Sequence, residues 1–417
     1  MLSFFSITWN GVRLIGIEPG QVLLALAAAA LALDALRKRQ TVGLPRAMIF
    51  GALLMVLAGA LSTLLPVGAN YLAGRMVIIN PALVGLVAVN SNNLIQLAKF
   101  EVALLGVPLA VLFLRPSIAE SRRLAGAWAL SAVVSAVVAV TDASGHTSIS
   151  TQLLGYVDAS GRESGLTAQP NHLSVSMALA APVLLLWIVQ GRPRVKLFGV
   201  FALGIIAYAS LLAGSRGGFG GLVLAAVLFI LVTPRLRLPA LVFGVPMVLF
   251  LGCIAILFLA SVLSTIATDI RLSGNLGAAS DVGHVLLLQQ AIADWHQSPI
   301  FGIGFDYLTS ANEVHLELLA GGGLMALLGF VIYWTTVLRR GLVARRLDPG
   351  LASALFAVVI TFLALNFLES PVSDAYLYVP AALLVSMAAL QRRGTAAAPR
   401  SDPQRVDVDP SLGVPRP

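Results

Sequence analysis

An arginine set among small residues is the first chemistry the sequence offers. Arg216 stands in the run GSRGGFGG, between two apolar stretches with almost no loop between them. Small neighbours let backbone and ligand approach closely, and a guanidinium held there suits two-pronged capture of a phosphate. The plain alternative is a glycine-rich turn with an arginine reaching for the interface. His315 lies between Glu313 and Glu317, where a long polar connection meets the next apolar run. A histidine beside acidic groups at such a boundary is a candidate general base. Asn171 and His172 follow Pro170 in AQPNHLSVSMALA. Helix capping and contact to sugar or phosphate are both open for them. Arg162, in the loop just before, is a further phosphate-contact candidate. Around His315 there is no HExxH and no second His or Cys at ligand spacing, so no metal site is expected.

These residues must be positioned by helices in a membrane. The chain has 417 residues, 58% hydrophobic and 11% charged, with mean hydropathy +0.91. Soluble domains carry about 25% charged residues. In hydrocarbon the backbone must satisfy itself, which leaves helices or a closed barrel, and apolar runs of about 15 to 25 residues select helices. The expected fold is all-α: a polytopic transmembrane bundle of about eleven spans, within a range of ten to twelve. Spans are read at Val22 to Leu36, Ala47 to Leu65, Phe100 to Leu114, Leu124 to Val140, Leu173 to Val189 and Leu197 to Leu212. The others are Gly217 to Val232, Leu241 to Leu263, Gly322 to Leu338, Leu351 to Phe367 and Ala375 to Leu390. Met76 to Leu97, interrupted by Asn80, Pro81 and Asn90 to Asn93, reads as a re-entrant or interfacial hairpin. Met1 to Gly20 reads as an interfacial segment without a cleavable signal. The single cysteine, Cys253, excludes an intrachain disulfide.

The basic residues orient this scheme. Twenty-one of the 27 Lys and Arg fall in one set of alternate connections and the C-terminal tail. By the positive-inside rule that side is cytoplasmic. The net charge of +8 is thereby explained by topology, and no nucleic-acid partner is expected. The six cations on the other side are Arg13, Arg75, Lys99, Arg162, Arg216 and Arg271, and all five histidines join them. The long connections at 66–99, 141–172 and 264–321 also lie outside, and long ordered loops tend to be functional. The third contains an amphipathic helix, Asp281 to His296, then Pro299 and Gly302-Ile303-Gly304. Residues 1–391 thus read as one membrane domain, and 392–417, rich in Pro, Arg, Asp and Ala, as a disordered cytoplasmic tail.

The segments SGLTAQPNHLSVSMALAAPV, GSRGGFGGLVLA and SPIFGIGFD followed by VHLELLAGGGLMALLGF together resemble the O-antigen ligase and O-antigen polymerase superfamily of bacterial membrane glycosyltransferases. The resemblance covers about Arg162 to Phe330, with the elements in the family's order. It implies an inner-membrane enzyme that moves a glycan from a polyprenyl-pyrophosphate donor to an acceptor hydroxyl on a glycan or lipid-linked acceptor, at the external face. It implies that Arg216 holds the lipid pyrophosphate and that His315 activates the acceptor hydroxyl. Where the family has a second arginine at the start of the external helix, this chain has His284, and Arg271 is the other residue that could supply that charge. The family's His-Asn pair is His315-Leu316 here. Glu317, Asn171 and His172 are expected to contact or support substrate. The implied transfer is inverting and needs neither metal nor cofactor, because the leaving group is already activated. The competing class is a transporter of lipid-linked glycan or a small molecule, for which internal repeats and broken helices would be the signature.

Overall fold

The computed structural model describes residues 1–12, 18–38, 43–64, 98–155, 161–239, 275–304, 313–368 and 374–397. The helices are α1 (Leu2–Ser6), α2 (Pro19–Arg37), α3 (Arg46–Leu64), α4 (Val107–Leu114), α5 (Ile118–Ala143), α6 (Ile149–Leu154) and α7 (Pro170–Gln190). They continue as α8 (Pro193–Leu212), α9 (Arg216–Val232), α10 (Pro234–Pro239), α11 (Asn275–Gln297), α12 (Val314–Ala344), α13 (Pro349–Leu365) and α14 (Tyr378–Ala397). Four of them, α5, α7, α8 and α12, are long and apolar enough to cross a membrane. Shorter apolar helices lie within α2, α3, α9, α13 and the segment Ala375–Gln391. Each expected span coincides with helix except Leu241 to Leu263, which lies outside the described residues, as do the Met76 to Leu97 hairpin and residues 398–417. The last helix runs past Gln391 to Ala397.

Helix boundaries follow local chemistry. Ser117 and Glu120 form a capping box at the start of α5, each accepting from the other's end of the turn. Asp348 caps α13 by accepting from the Gly350 and Leu351 backbone N–H groups. The same carboxylate takes the Arg122 guanidinium on two prongs, at 2.7 and 3.1 Å, so the basic end of α5 is tied to the α12–α13 turn. Arg345 at the end of α12 reaches the Val232 carbonyl that closes α9. Those contacts assemble one end of the bundle, where the basic residues collect.

One interior contact repairs a helix. Pro108 has no N–H, so the Leu104 carbonyl one turn earlier loses its α-helical partner. The chain there widens into a π-helical turn, Val102–Gly106. The buried Tyr333 hydroxyl on α12 donates to Leu104 O at 2.9 Å and fills the gap. An unsatisfied carbonyl in hydrocarbon is costly. Tyr333→Phe is therefore expected to lower stability by about 1 kcal/mol. The measurement is thermal melting of detergent-solubilised protein. Adding Pro108→Ala, which restores an N–H, should recover part of the loss; an unchanged melt for Tyr333→Phe alone refutes the account.

The N-terminal segment, read as interfacial, packs against the bundle. It enters the bundle along α5: Thr8 Oγ1 meets Ser131 Oγ at 2.5 Å, and Trp9 Nε1 donates to the Ser131 carbonyl at 3.0 Å. Asn10 ends up 3% exposed, between α7 and the start of α14. The sequence held a sign of this, a Thr, Trp and Asn cluster too polar for lipid and too apolar for a free tail.

Candidate functional site

The site forms where three helices begin and one ends. α7 and α9 start side by side: a Cβ on Gly218 would lie 1.9 Å from Ser174 Cβ, so only glycine lets these first turns meet. Ser215 opens α9, accepting from the Gly218 N–H at 3.2 Å, and Arg216 is its first residue, half-buried. Further along α9, Gly221 faces Leu365 near the end of α13. One residue on, the Asn366 carbonyl accepts from the Val314 N–H at 2.8 Å, which fixes the start of α12 to the same place. The N-termini of α7, α9 and α12 thus gather at the far end from the Arg122–Asp348 pair. Helix N-termini carry partial positive charge and unpaired N–H groups, a setting that favours anions.

Arg162 belongs to the α7–α9 part of this site. Its Nε donates to the Ala213 carbonyl at 2.7 Å, and Nη2 donates to Asn171 Oδ1. Glu163 N donates to the Leu212 carbonyl at 3.2 Å, so the loop before α7 is pinned against the turn that leads to Arg216. Asn171 is not a helix cap: Gln169 occupies that position, without a side-chain bond, and Asn171 works as the acceptor for Arg162. His172 points inward. Its Nδ1 pairs with Asn10 Nδ2 at 2.9 Å and lies 3.4 Å from Asp374 Oδ2, which accepts from Asn10 at 2.6 Å. Burial pushes the Asp374 carboxyl up to about 7, against the opposing pull of the Asn10 bond and the Lys99 charge. His172 therefore supports the frame behind the site, through a hub that the sequence reading did not contain.

His315 is the second residue of α12. Its ring packs 4.2 Å from that of Phe367 and edge-on to Phe330 at 5.9 Å. The acidic neighbour that reaches it is Glu313, whose Oε1 lies 3.8 Å from Nδ1. Burial raises the Glu313 carboxyl above its ordinary value. Glu317, one turn on, is buried, and its N–H donates to the Glu313 carbonyl at 3.0 Å. Among the described residues, Nδ1 of His315 is buried without a hydrogen-bond partner, as are both amide atoms of Asn366, which is 1% exposed. Buried polar groups are paired in the great majority of cases. Orphan atoms on two residues joined through the Val314–Asn366 contact mark a place where a polar group from outside would be welcome. No local pattern in the sequence points to Asn366, because its partner is far along the chain.

A broken helix aims His315. Within α12, Gly323 has φ +64° and ψ −166°, and the helix is interrupted there. The break frees backbone groups, and the loop after α11 takes them. Ile303 N donates to Ala320 O at 2.7 Å and Gly304 N to Gly321 O at 3.0 Å. In the other direction Leu324 N donates to Pro299 O at 2.9 Å and Met325 N to Ile300 O at 3.2 Å. The Pro299-to-Gly304 segment is thus a backbone patch over the break. Helix α11, expected over Asp281 to His296, spans Asn275–Gln297, and His284 lies on it, with its side chain outside the described ones; Arg271 lies outside the described residues. Among the described residues no group of three or more His, Cys, Asp or Glu is placed to hold a metal ion.

Comparison with known proteins covers part of the site. No curated protein matches the chain. Residues 201–322 match the family model described as O-antigen ligase. That stretch contains Arg216, the Pro299-to-Gly304 patch and His315, and it leaves out Arg162, Asn171 and His172. The chain thus has helices long and apolar enough to cross a membrane, and over residues 201–322 it is similar to the O-antigen ligase family, which suggests a glycosyltransferase-like role in polysaccharide synthesis.

Proposed function

We propose that the chain transfers a glycan from a polyprenyl-pyrophosphate donor to an acceptor hydroxyl at the external face of the bacterial inner membrane, with the C-terminal tail in the cytoplasm. The observation that carries this reading is the gathering of Arg216 and His315 at the N-termini of α9 and α12, with Arg162 in the loop before α7, around the end of α13. Arg216 and Arg162, with Arg271 or His284 as a further contact, bind the pyrophosphate. His315 faces the acceptor through Nε2, while Glu313 steadies Nδ1–H once substrate closes the 3.8 Å gap; such bonds are often long without substrate.

The step is a single in-line displacement. The bond between the anomeric carbon and the pyrophosphate oxygen breaks, and its electron pair stays on the leaving group. The acceptor oxygen forms the new bond, and its proton passes to His315. Fixed cations act where negative charge grows, which is where preorganised charge helps most. They supply what a metal would, so transfer proceeds in EDTA, and the anomeric configuration inverts.

Broken helices also serve transporters, where the unwound backbone holds ions at the bilayer midplane. Here the Ala320 and Gly321 carbonyls at the break are taken by Ile303 and Gly304, which favours an enzyme. The experiment uses cells lacking the protein, complemented with wild type, Arg216→Ala or His315→Ala at matched abundance. Wild type should restore transferred glycan, and both variants should leave lipid-linked donor accumulating. Full restoration by both variants would return the transport reading to the front.

A further inference from the structure

A polar cavity lies beside Arg162. It has a volume of about 240 Å³ and is lined by residues of the α5–α6 loop, α6 and the Gly161-to-Ser164 loop, Arg162 included. Asp142 builds it. Its two oxygens accept from Thr147 Oγ1, the Ile149 N–H at 3.0 Å, the Ser150 N–H at 2.7 Å and Ser150 Oγ. Four donors fill that carboxylate, so Asp142 holds the loop and has little capacity left for a ligand.

Glu163 is different. It lines the same cavity, partly buried, and among the described residues its carboxylate has no hydrogen-bond or ion-pair partner. Burial and then the neighbouring Asp142 charge raise its pKa. Arg162, next in sequence, is turned to Ala213 O and Asn171. Thr151 and Ser148 add hydroxyls to the same wall. The cavity lining therefore offers a strong acceptor in Glu163, several hydroxyls that donate or accept, and Arg162. That set complements a ring bearing several hydroxyl groups, and its size suits one or two sugar units, being below the ~300–1,000 Å³ of pockets for drug-sized ligands.

We infer that the cavity of Thr147, Ser148, Thr151, Arg162 and Glu163 is a carbohydrate subsite that holds a sugar of the donor glycan, with Glu163 accepting from its hydroxyls. Arg162 is the shared residue: its Nε donates to the Ala213 carbonyl in the turn before Arg216, and the residue also lines the cavity. A sugar close to the pyrophosphate therefore fits the cavity when the phosphates sit by the arginines. This assignment rests on the pyrophosphate reading above.

The test uses the full chain in detergent. Two probes are compared: the cell's own lipid-linked glycan extracted from membranes, and the same lipid pyrophosphate after its glycan has been removed. Wild type should bind the glycan-bearing probe about tenfold tighter, the worth of a hydrogen bond to a charged group. Glu163→Ala should lose that preference and bind the bare lipid pyrophosphate as wild type does. Glu163→Gln, which keeps an acceptor, should retain part of it. An unaltered melting temperature shows that the variants fold. A full preference retained by Glu163→Ala overturns the subsite, and so does a wild type with no preference. So does stabilisation of wild type by Ca²⁺ alone, lost in Glu163→Ala, because it makes the cavity a cation site. If wild type binds neither probe, it is the pyrophosphate reading that fails.

Discussion

His315→Ala is expected to lower the transfer rate by about 10²–10⁴-fold, the usual worth of a positioned general base. Donor affinity should change little. The reason is placement: His315 sits on α12, with its ring against Phe367 and Phe330, whereas the cations assigned to the pyrophosphate belong to α9 and the loop before α7. Loss of a group used mainly in the transition state lowers kcat and kcat/KM together. Arg216→Ala should behave otherwise, because its charge meets the donor in the ground state as well as at bond cleavage. It should raise the donor KM in addition to cutting kcat. Arg216→Lys should recover little, since an ammonium keeps the charge and loses the planar two-pronged fork. The measurement is steady-state transfer in membranes over a range of donor concentrations. If His315→Ala raised KM and left kcat intact, His315 would be a binding residue and the base would lie elsewhere. Glu313→Gln, which removes the nearby carboxylate charge, should give a smaller loss in kcat with KM unchanged.

Much of the frame was legible because membrane helices are written in local sequence. Apolar length and the one-sided distribution of arginine mark the helices and the two ends, and each rests on a physical constraint local to a short window. The small residues of GSRGGFGG were read as room for a ligand beside Arg216; the fold shows Gly218 making room for Ser174 of α7. What was not legible depends on partners far apart. Asn171 has a local capping role available to it, and only the fold shows that it serves Arg162. His172 was open to helix capping or to contacting or supporting substrate, and the fold sets it against Asn10 and Asp374 across 162 and 202 positions of sequence. Glu313 and Glu317 flank His315 equally in the chain. Glu313 precedes the first turn of α12 and can bend towards the ring, while Glu317 sits one turn on and is buried. Tyr333 repairing the turn before Pro108 belongs to the same class, since neither residue hints at the other.

Gly323→Ala should abolish most transfer although it adds one methyl group far from any reacting atom. The φ of +64° with ψ of −166° is a region essentially reserved for glycine, where a side chain costs about 1–3 kcal/mol. Space is the second obstacle: a Cβ there would stand 2.2 Å from the Ile300 backbone. Its counterpart across the patch is Gly302, at φ +74°, where a Cβ would meet Gly321 at the same distance. Each glycine makes room for the backbone bonded to the other's strand of the break, so the two positions act as one device. An alanine at either must push the patch away, and the bonds from Ile303 and Gly304 to Ala320 and Gly321 go with it. The freed turns of α12 then have an alternative, a continuous helix through Gly323, which turns His315 away from the end of α13. Misplacement by about 1 Å can cost about 10²-fold in rate. Gly302→Ala and Gly323→Ala should each lose at least that much, and the double variant should be little worse than either alone, because both break the same contact. Gly204→Ala, in open space on α8, should transfer as wild type. Wild-type rates from Gly323→Ala would mean that the break in α12 does not position His315, and simple addition of the two single losses would mean that the two glycines act independently.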